Sequence, residues 1–252
     1  MKAIIIAAGR GSRLSPLTDV LPKCMLTVGG RPLLHHAVSH LQAVGINDIL
    51  VVRGYAAGQI HCPGVRFADN PIWSSTNVLG SIFTAPHEIT GELLIVYSDI
   101  IFRRHVVESA VAAKGHIVPV VDTDWREAYV NRSLHPISEA EKVSFGEHGR
   151  ISRIGKSNVA DIDADGEFIG MIKLGTIGSA QLVHAYMDAK SSLAGRPFGS
   201  AASFEQAYLT DILQSLIEGG EAIHPAKIKG GWREIDTVED LEAAQSWHAS
   251  SI

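Results

Sequence analysis

Apolar residues fall in short runs, each closed by glycine or charge, and these runs alternate with stretches of helical spacing. Ala3–Ala8 is wholly apolar and stops at Gly9, the pattern of a strand buried on both faces. Arg31–Gly45 carries Leu33, Leu34, Ala37, Val38, Leu41 and Val44 at helical spacing, and Gly45 ends it. Asp48–Arg53 is a second apolar strand stopped by glycine. The alternation continues through a strand at Val65–Ala68, a helix at Asn77–Ala85, a strand at Glu92–Tyr97, a helix at His105–Ala113 and a strand at His116–Val121. This order predicts an α/β fold, a mostly parallel sheet covered by helices on both faces. From Lys142 to Leu174 short strands and turns dominate, and helices return at Ala180–Leu193, Phe204–Ile217 and Val238–Ser246. No linker, repeat or low-complexity tract interrupts the chain, so residues 1–252 are expected to form a single domain.

Composition narrows the class. The chain has 252 residues, 46% of them hydrophobic, which is enough to bury a core without metals or disulfides. Two cysteines, Cys24 and Cys62, make neither a disulfide framework nor a four-ligand zinc site, and they point to a reducing compartment. The apolar run at the start resembles a signal segment but ends at Gly9-Arg10-Gly11, and no later run approaches membrane length. A net charge of −5 without a basic block argues against nucleic acid as a partner. The expectation is a cytoplasmic, soluble monomer or homodimer.

Ligands of such sheets bind beyond the carboxyl ends of the strands. The residues there are Gly9–Arg13, Gly54-Tyr55, Ser98-Asp99 and Asp122–Trp125. Gly9-Arg10-Gly11-Ser12-Arg13 suits a phosphate, because glycine lets backbone N–H groups approach and Ser12 and Arg13 add donors. A dinucleotide fingerprint fails at Leu14 and at Arg53-Gly54, where a small and an acidic residue are required. A Walker loop fails for want of Gly-Lys-Ser/Thr. Taken alone, the loop is as well explained by a tight turn.

The run Ala7-Ala8-Gly9-Arg10-Gly11-Ser12-Arg13-Leu14-Ser15-Pro16-Leu17-Thr18, followed by Pro22-Lys23, resembles the signature of nucleotidyltransferases that make sugar and head-group nucleotides. The resemblance implies a Rossmann-like, GT-A-like single domain whose loop wraps a nucleoside triphosphate. It places Ala7, Ala8, Gly9, Gly11, Ser12 and Ser98 at the nucleotide, and Arg13 and Lys23 on its phosphates. It also implies a Mg²⁺ shared by Asp99 and Asp236, and two carboxylates suffice for a hard cation that also binds phosphate. Asp236 reads equally as part of a helix cap. Ser98-Asp99-Ile100 departs from the Asp-x-Asp of many glycosyltransferases on this fold, which counts against sugar transfer.

Within that superfamily the chain looks most like the small cytidylyltransferases that activate phosphocholine, 2-aminoethylphosphonate, phosphoglutamine and similar head groups. The matching pieces are Pro22-Lys23-Cys24-Met25, Gly45–Ile49, Asn70-Pro71 through Asn77, Tyr97-Ser98-Asp99 and Glu234–Asp240. The middle segment Val121–Trp125, Arg132, His135-Pro136 and Ser138–Val143 looks like transferases of phosphonate pathways. The Gly-Gly-x-Ala-Pro stretch of many dTDP-glucose-forming enzymes is absent from the sequence. The implied reaction moves CMP from CTP to a small phosphonate or phosphate monoester, 2-aminoethylphosphonate-like by preference. Such an acceptor is already an anionic nucleophile, so alignment and charge neutralisation suffice. The nucleotide-binding half is expected over about residues 1–121 and the acceptor-binding part over about 122–252.

Arg132, Lys142 and Lys156 are candidates to grip the phosphonate, and Asp122, Asp124, Glu139 and Glu141 to meet an amine. Each also reads as an ordinary surface charge. Trp125 packs over a cationic head group or sits in the core, and Tyr55 and Asn77 line the nucleoside pocket unless Asn77 caps its helix. His36 and His40 are expected on a helix surface, and Asp161–Gly166 reads as a solvated turn rather than a calcium loop. Two rivals stand: a sugar-1-phosphate nucleotidyltransferase using UTP or dTTP, and a nucleotide-binding regulatory module without catalysis.

Overall fold

The computed structural model describes residues 1–130 and 132–250. Strand β1 (Lys2–Ala7) is followed by helix α1 (Leu33–Ala43), strands β2 (Ile49–Arg53) and β3 (Arg66–Asp69), helix α2 (Val78–Ile82) and strand β4 (Leu93–Tyr97). These strands run parallel in the order β4-β1-β2-β3. Next come β5 (Ile100–Phe102), α3 (Arg104–Ala112), β6 (Ile117–Asp122), β7 (Lys142–Phe145), β8 (Ile151–Ile154) and β9 (Gly166–Leu174). The chain closes with α4 (Thr176–Leu193), α5 (Leu209–Glu218), β10 (Ala226–Ile228), β11 (Trp232–Glu234) and α6 (Val238–Ala249).

β9 joins the parallel half to an antiparallel half. Its last residues pair with β4, its first with β7, and β6 flanks its other edge. The register breaks between Phe168 and Ile172, around Gly170 at φ +78°, where a Cβ would lie 2.5 Å from the Tyr97 ring. Only glycine accepts that backbone at that distance. The break leaves Phe168, Ile169 and Gly170 to form a cleft wall beside Tyr97.

Alternation along β1 sorts the core. Ile4 and Ile6 face Leu79 and Ile82 of α2 and the apolar sides of α4 and α5, including Leu182, Leu209 and Ile212. Ala3, Ile5 and Ala7 face Leu34, Val38 and Leu41 of α1 and Val106, Val107 and Ala110 of α3. Both faces of the strand are therefore dry, which is why its sequence is an unbroken apolar run. Each such side chain contributes about 1.5–3 kcal/mol by leaving water.

A third cluster positions the chemistry. Leu14, Leu26, Val28, Leu33, Ile101, Ile235 and Ala244 pack together and tie the glycine loop to β5, the end of β11 and α6. β5 and β11 pair antiparallel, Ile100 opposite Glu234, and the ladder is extended by Ile235 N–H donating to the Asp99 carbonyl at 2.9 Å. Strands this short carry no periodic signal, and β5, β10 and β11 were not expected from the pattern. α1 starts at Leu33 because Pro32, in an extended conformation, occupies its N-cap. The expected helix over Phe204–Ile217 divides into a 3₁₀ turn at Phe204–Gln206 and α5.

His36 corrects the expectation of a surface residue. It is buried, its Nε2 meets the Val28 carbonyl at 2.9 Å, and its ring meets His248 edge-on. His40 is half-buried against Phe102. Asp161–Gly166 is a turn as expected, with Asp161 accepting from Lys142 and Asp165 from the Phe145 N–H. No helix among the described residues is long and apolar enough to cross a membrane.

Candidate active site

A cleft of about 370 Å³ opens where β1 and β4 end. Gly9, Gly11, Ser12 and Arg13 form one wall. Gly11 is left-handed at φ +70°, and a Cβ there would press on the Lys23 side chain at 3.0 Å, so the turn brings backbone and lysine into contact. Leu14, fully buried, anchors the loop against Ile235 in the third cluster. That packing places Arg13 and Asp236, the neighbours of Leu14 and Ile235, face to face.

Lys23 stands between the two aspartates. Its Nζ donates to Asp99 Oδ2 at 2.9 Å and to Asp236 Oδ1. Burial alone would depress this ammonium, but the carboxylates of Asp99, Asp236 and Glu234 outweigh it and raise its pKa. Asp236 Oδ2 accepts from Arg13 at 2.6 Å and faces His135 Nδ1 at 3.3 Å. Against burial, Lys23, His135 and Arg13 hold the Asp236 carboxyl well below the usual carboxylate range. Glu234 is pushed up by burial and by Asp236. Its Oε2 meets Arg132 at 3.1 Å and His135 Nε2 at 3.5 Å.

The donor set suits a hard divalent cation. Asp99 Oδ1 is buried with no hydrogen-bond partner among the described residues, and its carboxylate shares one ammonium with Asp236. His135, Glu234 and Asp236 also bring one donor atom each within 4.8 Å of one another. Oxygen donors beside a cleft lined by the glycine loop are the chemistry such an ion takes.

Several expected residues meet in the cleft. Ala8, Gly9, Gly11, Ser12, Arg13, Lys23, Asn77, Ser98, Asp99, Glu139, Lys156 and Asp236 all line it. Asn77 lines the cleft and also caps α2, its side chain accepting from the Val78 N–H at 2.8 Å. Lys156 pairs with Glu139 at 3.1 Å.

Others lie elsewhere. Ala7 is paired within the sheet and points into the core. Tyr55 donates to the Asp19 carbonyl at 2.5 Å and packs edge-on against Trp73, which itself lines the cleft. Asp122, expected to meet an amine, is buried and structural: it accepts from Gly230 N–H, Asp124 N–H and Trp232 Nε1 at 2.8–3.0 Å. Asp124 is exposed at the start of a 3₁₀ turn outside the cleft. Trp125 is a core residue, 1% exposed, packed with Ala140, Val159 and Ala164. Lys142 reaches away from the cleft to Asp161 at 2.6 Å. Arg132 is not among the residues that line the cleft, and its guanidinium is held by Asp240 at 2.6 Å and Glu234 at 3.1 Å.

The cleft also contains Tyr97, Glu167, Tyr208 and Glu234, none of which was a candidate from sequence. Glu167 lies in an apolar strand, and a lone acid in such a run was the available signal. Cys24 is buried, and burial pushes its thiol up to about 12.

A mixed α/β sheet whose first strand feeds a glycine loop, with a lysine held between two carboxylates at the strand ends, defines the nucleotidyltransferase class. The chain belongs to the MobA-like NTP transferase domain family, whose profile matches residues 3–229. It is 30% identical to the CTP:phosphoglutamine cytidylyltransferase of Campylobacter jejuni, over 96% of this chain and 98% of that protein. It is 25% identical to the 2-aminoethylphosphonate cytidylyltransferase of Lancefieldella rimae, over 96% and 90% of the two chains. The fold is that of the CTP:phosphocholine cytidylyltransferase of Streptococcus pneumoniae, with a TM-score of 0.73, 20% identity and 98% of each chain covered.

Proposed function

We propose that this enzyme transfers CMP from CTP to a small phosphonate or phosphate-monoester head group and releases pyrophosphate. The observation that carries the reading is the Asp99–Lys23–Asp236 bridge beneath the Gly9–Arg13 loop. Support for cytidine and for this acceptor class comes from the named activities of the relatives.

Loop N–H groups and Ser12 receive the triphosphate, and Arg13 and Lys23 neutralise its charge. One acceptor oxygen attacks the α-phosphorus of CTP in line; a P–O bond forms as the bond to the pyrophosphate oxygen breaks. The acceptor oxygen is ionised before attack, so no residue removes a proton. Asp99 and Asp236 would hold Mg²⁺, which supplies charge stabilisation on the phosphates when bound. In this reading residues before about 121 serve mainly the nucleotide, and Glu139, Glu141 and Lys156 face the acceptor.

Pyrophosphate release with Mg²⁺ tests the reading, comparing CTP, UTP, ATP and dTTP against phosphonate, phosphocholine, phosphoglutamine and glucose 1-phosphate acceptors. CTP turnover with a head group is expected. Turnover only with UTP or dTTP and the sugar phosphate would replace the proposal with sugar activation, and Mg·CTP binding without turnover would make the chain a sensor.

A further inference from the structure

Carboxyl groups that line the cleft outnumber the cations that line it. The described cations that line the cleft are Arg13, Lys23 and Lys156, and each already has a carboxylate partner. Glu141 and Glu167 line it too, and neither has an ion pair among the described residues. Glu141 accepts a long contact from Thr210 Oγ1 at 3.4 Å. Glu167, 3% exposed, accepts from Tyr129 through Oε1 at 2.5 Å, while its Oε2 is buried without a partner among the described residues. The Tyr97 hydroxyl, which also belongs to a residue lining the cleft, is likewise buried without a partner among them. Burial, reinforced by Glu234, Asp211 and Asp99 against Lys156, pushes the Glu141 carboxyl up to about 8. Burial likewise drives Glu167 and Tyr97 well above their ordinary values. Native proteins rarely leave buried polar atoms unmatched, and here they share one cavity.

We propose that the part of the cleft lined by Glu141, Glu167 and Tyr97 is the site of a primary ammonium group on the acceptor, with its N–H bonds directed to Glu141 and the Tyr97 hydroxyl. The inference rests on the reading of the chain as a transferase to a phosphonate or phosphate monoester, and it selects within that class. A quaternary ammonium carries no N–H, so it would leave the Tyr97 hydroxyl unmatched. It also needs open aromatic faces. The Tyr208 ring already faces Lys156 Nζ at 5.0 Å, and Tyr97 meets Phe168 edge-on with centroids 6.0 Å apart. A neutral hydroxyl would fill a hydrogen bond but would not favour the ionised form of Glu141, which burial disfavours. Glu167, whose ionised form burial also disfavours, lies in the same cleft, while Arg13 and Lys23, on the triphosphate, mark where the acceptor oxygen attacks.

The test compares 2-aminoethylphosphonate, phosphocholine and 2-hydroxyethylphosphonate as acceptors for wild type, Glu141→Gln and Tyr97→Phe. Pyrophosphate release from CTP is read alongside calorimetric binding of each compound. Wild type is expected to favour 2-aminoethylphosphonate by about 100-fold or more in kcat/KM, as sites built around a hydrogen-bonded group do. Glu141→Gln should lower that value by about 100-fold and Tyr97→Phe by about tenfold, and both should narrow the preference over 2-hydroxyethylphosphonate. Equal use of phosphocholine or the hydroxy compound by wild type overturns the ammonium site and leaves CMP transfer standing, as does undiminished preference in Glu141→Gln. Silence with all three acceptors counts against the transferase reading, and calorimetry then decides the site. Binding of 2-aminoethylphosphonate that Glu141→Gln weakens would retain it; no binding would remove it.

Discussion

Replacing Arg132 with alanine separates two roles that look alike in sequence. Arg132 is nearly buried, its guanidinium 2.6 Å from Asp240 Oδ1 and 3.1 Å from Glu234 Oε2, with the Tyr129 ring 5.0 Å away. Truncation strands two carboxylates, and breaking a buried pair on one side costs about 3–5 kcal/mol. Asp240 keeps its capping contacts from the Asp236 and Thr237 N–H groups, and Glu234 keeps His135, so the lower end, about 3 kcal/mol, is expected. For a chain of this size each kcal/mol lowers the melting midpoint by about 2–4 °C, giving a fall of about 6–12 °C. Calorimetric melting of Arg132→Ala and Arg132→Met, with acceptor KM measured on both, provides the assay. Both variants should melt early, kcat should fall as Glu234 and Asp236 loosen, and acceptor KM should move little. An unshifted midpoint with a steeply raised acceptor KM would refute the structural role and restore Arg132 as a substrate contact.

Lys23→Ala should lower kcat by about 10²–10³ while circular dichroism stays native, since the ammonium serves the site rather than the sheet; near-normal turnover would remove Lys23 from the mechanism. Trp125→Ala should cost about 3–5 kcal/mol in denaturant unfolding and leave the KM for CTP and acceptor unchanged. A raised acceptor KM without loss of stability would put the indole back at the head group. Glu141 supplies a pH signature: its native carboxyl is held at about 8 against 4.5 in the free residue. Between those values the native state binds more protons than the unfolded chain, so wild-type stability falls as pH rises through that window. Glu141→Gln should flatten this decline in melting curves from acid to mildly alkaline pH, and parallel curves would contradict it.

Much of the fold was legible because its cause is local. β1 is apolar at every position that enters the core, and α1 shows its buried stripe at Leu34, Val38 and Leu41. Short strands such as β5 and β11 hold too few residues to show a period, and it is their pairing that sets Asp99 beside Asp236. The antiparallel β9 was equally hidden, since direction in a sheet is decided by partners and not by composition.

The amino-acid sequence by itself determined the alternation of strand and helix, the glycine loop, and the places where Arg13, Lys23, Asp99 and Asp236 stand along the chain. Those follow from the apolar period and from contiguous motif residues. Tertiary structure alone decided which charges face the cleft and which are consumed in the scaffold. Asp122 went to Trp232 and Gly230, Arg132 to Asp240, and Lys142 to Asp161, whereas Glu141, Glu167 and Tyr97 were left facing the cavity. A charged side chain looks the same in sequence whether its partner is a substrate or a residue a hundred positions away, because its role is set by the neighbour that folding supplies and by the water that folding removes.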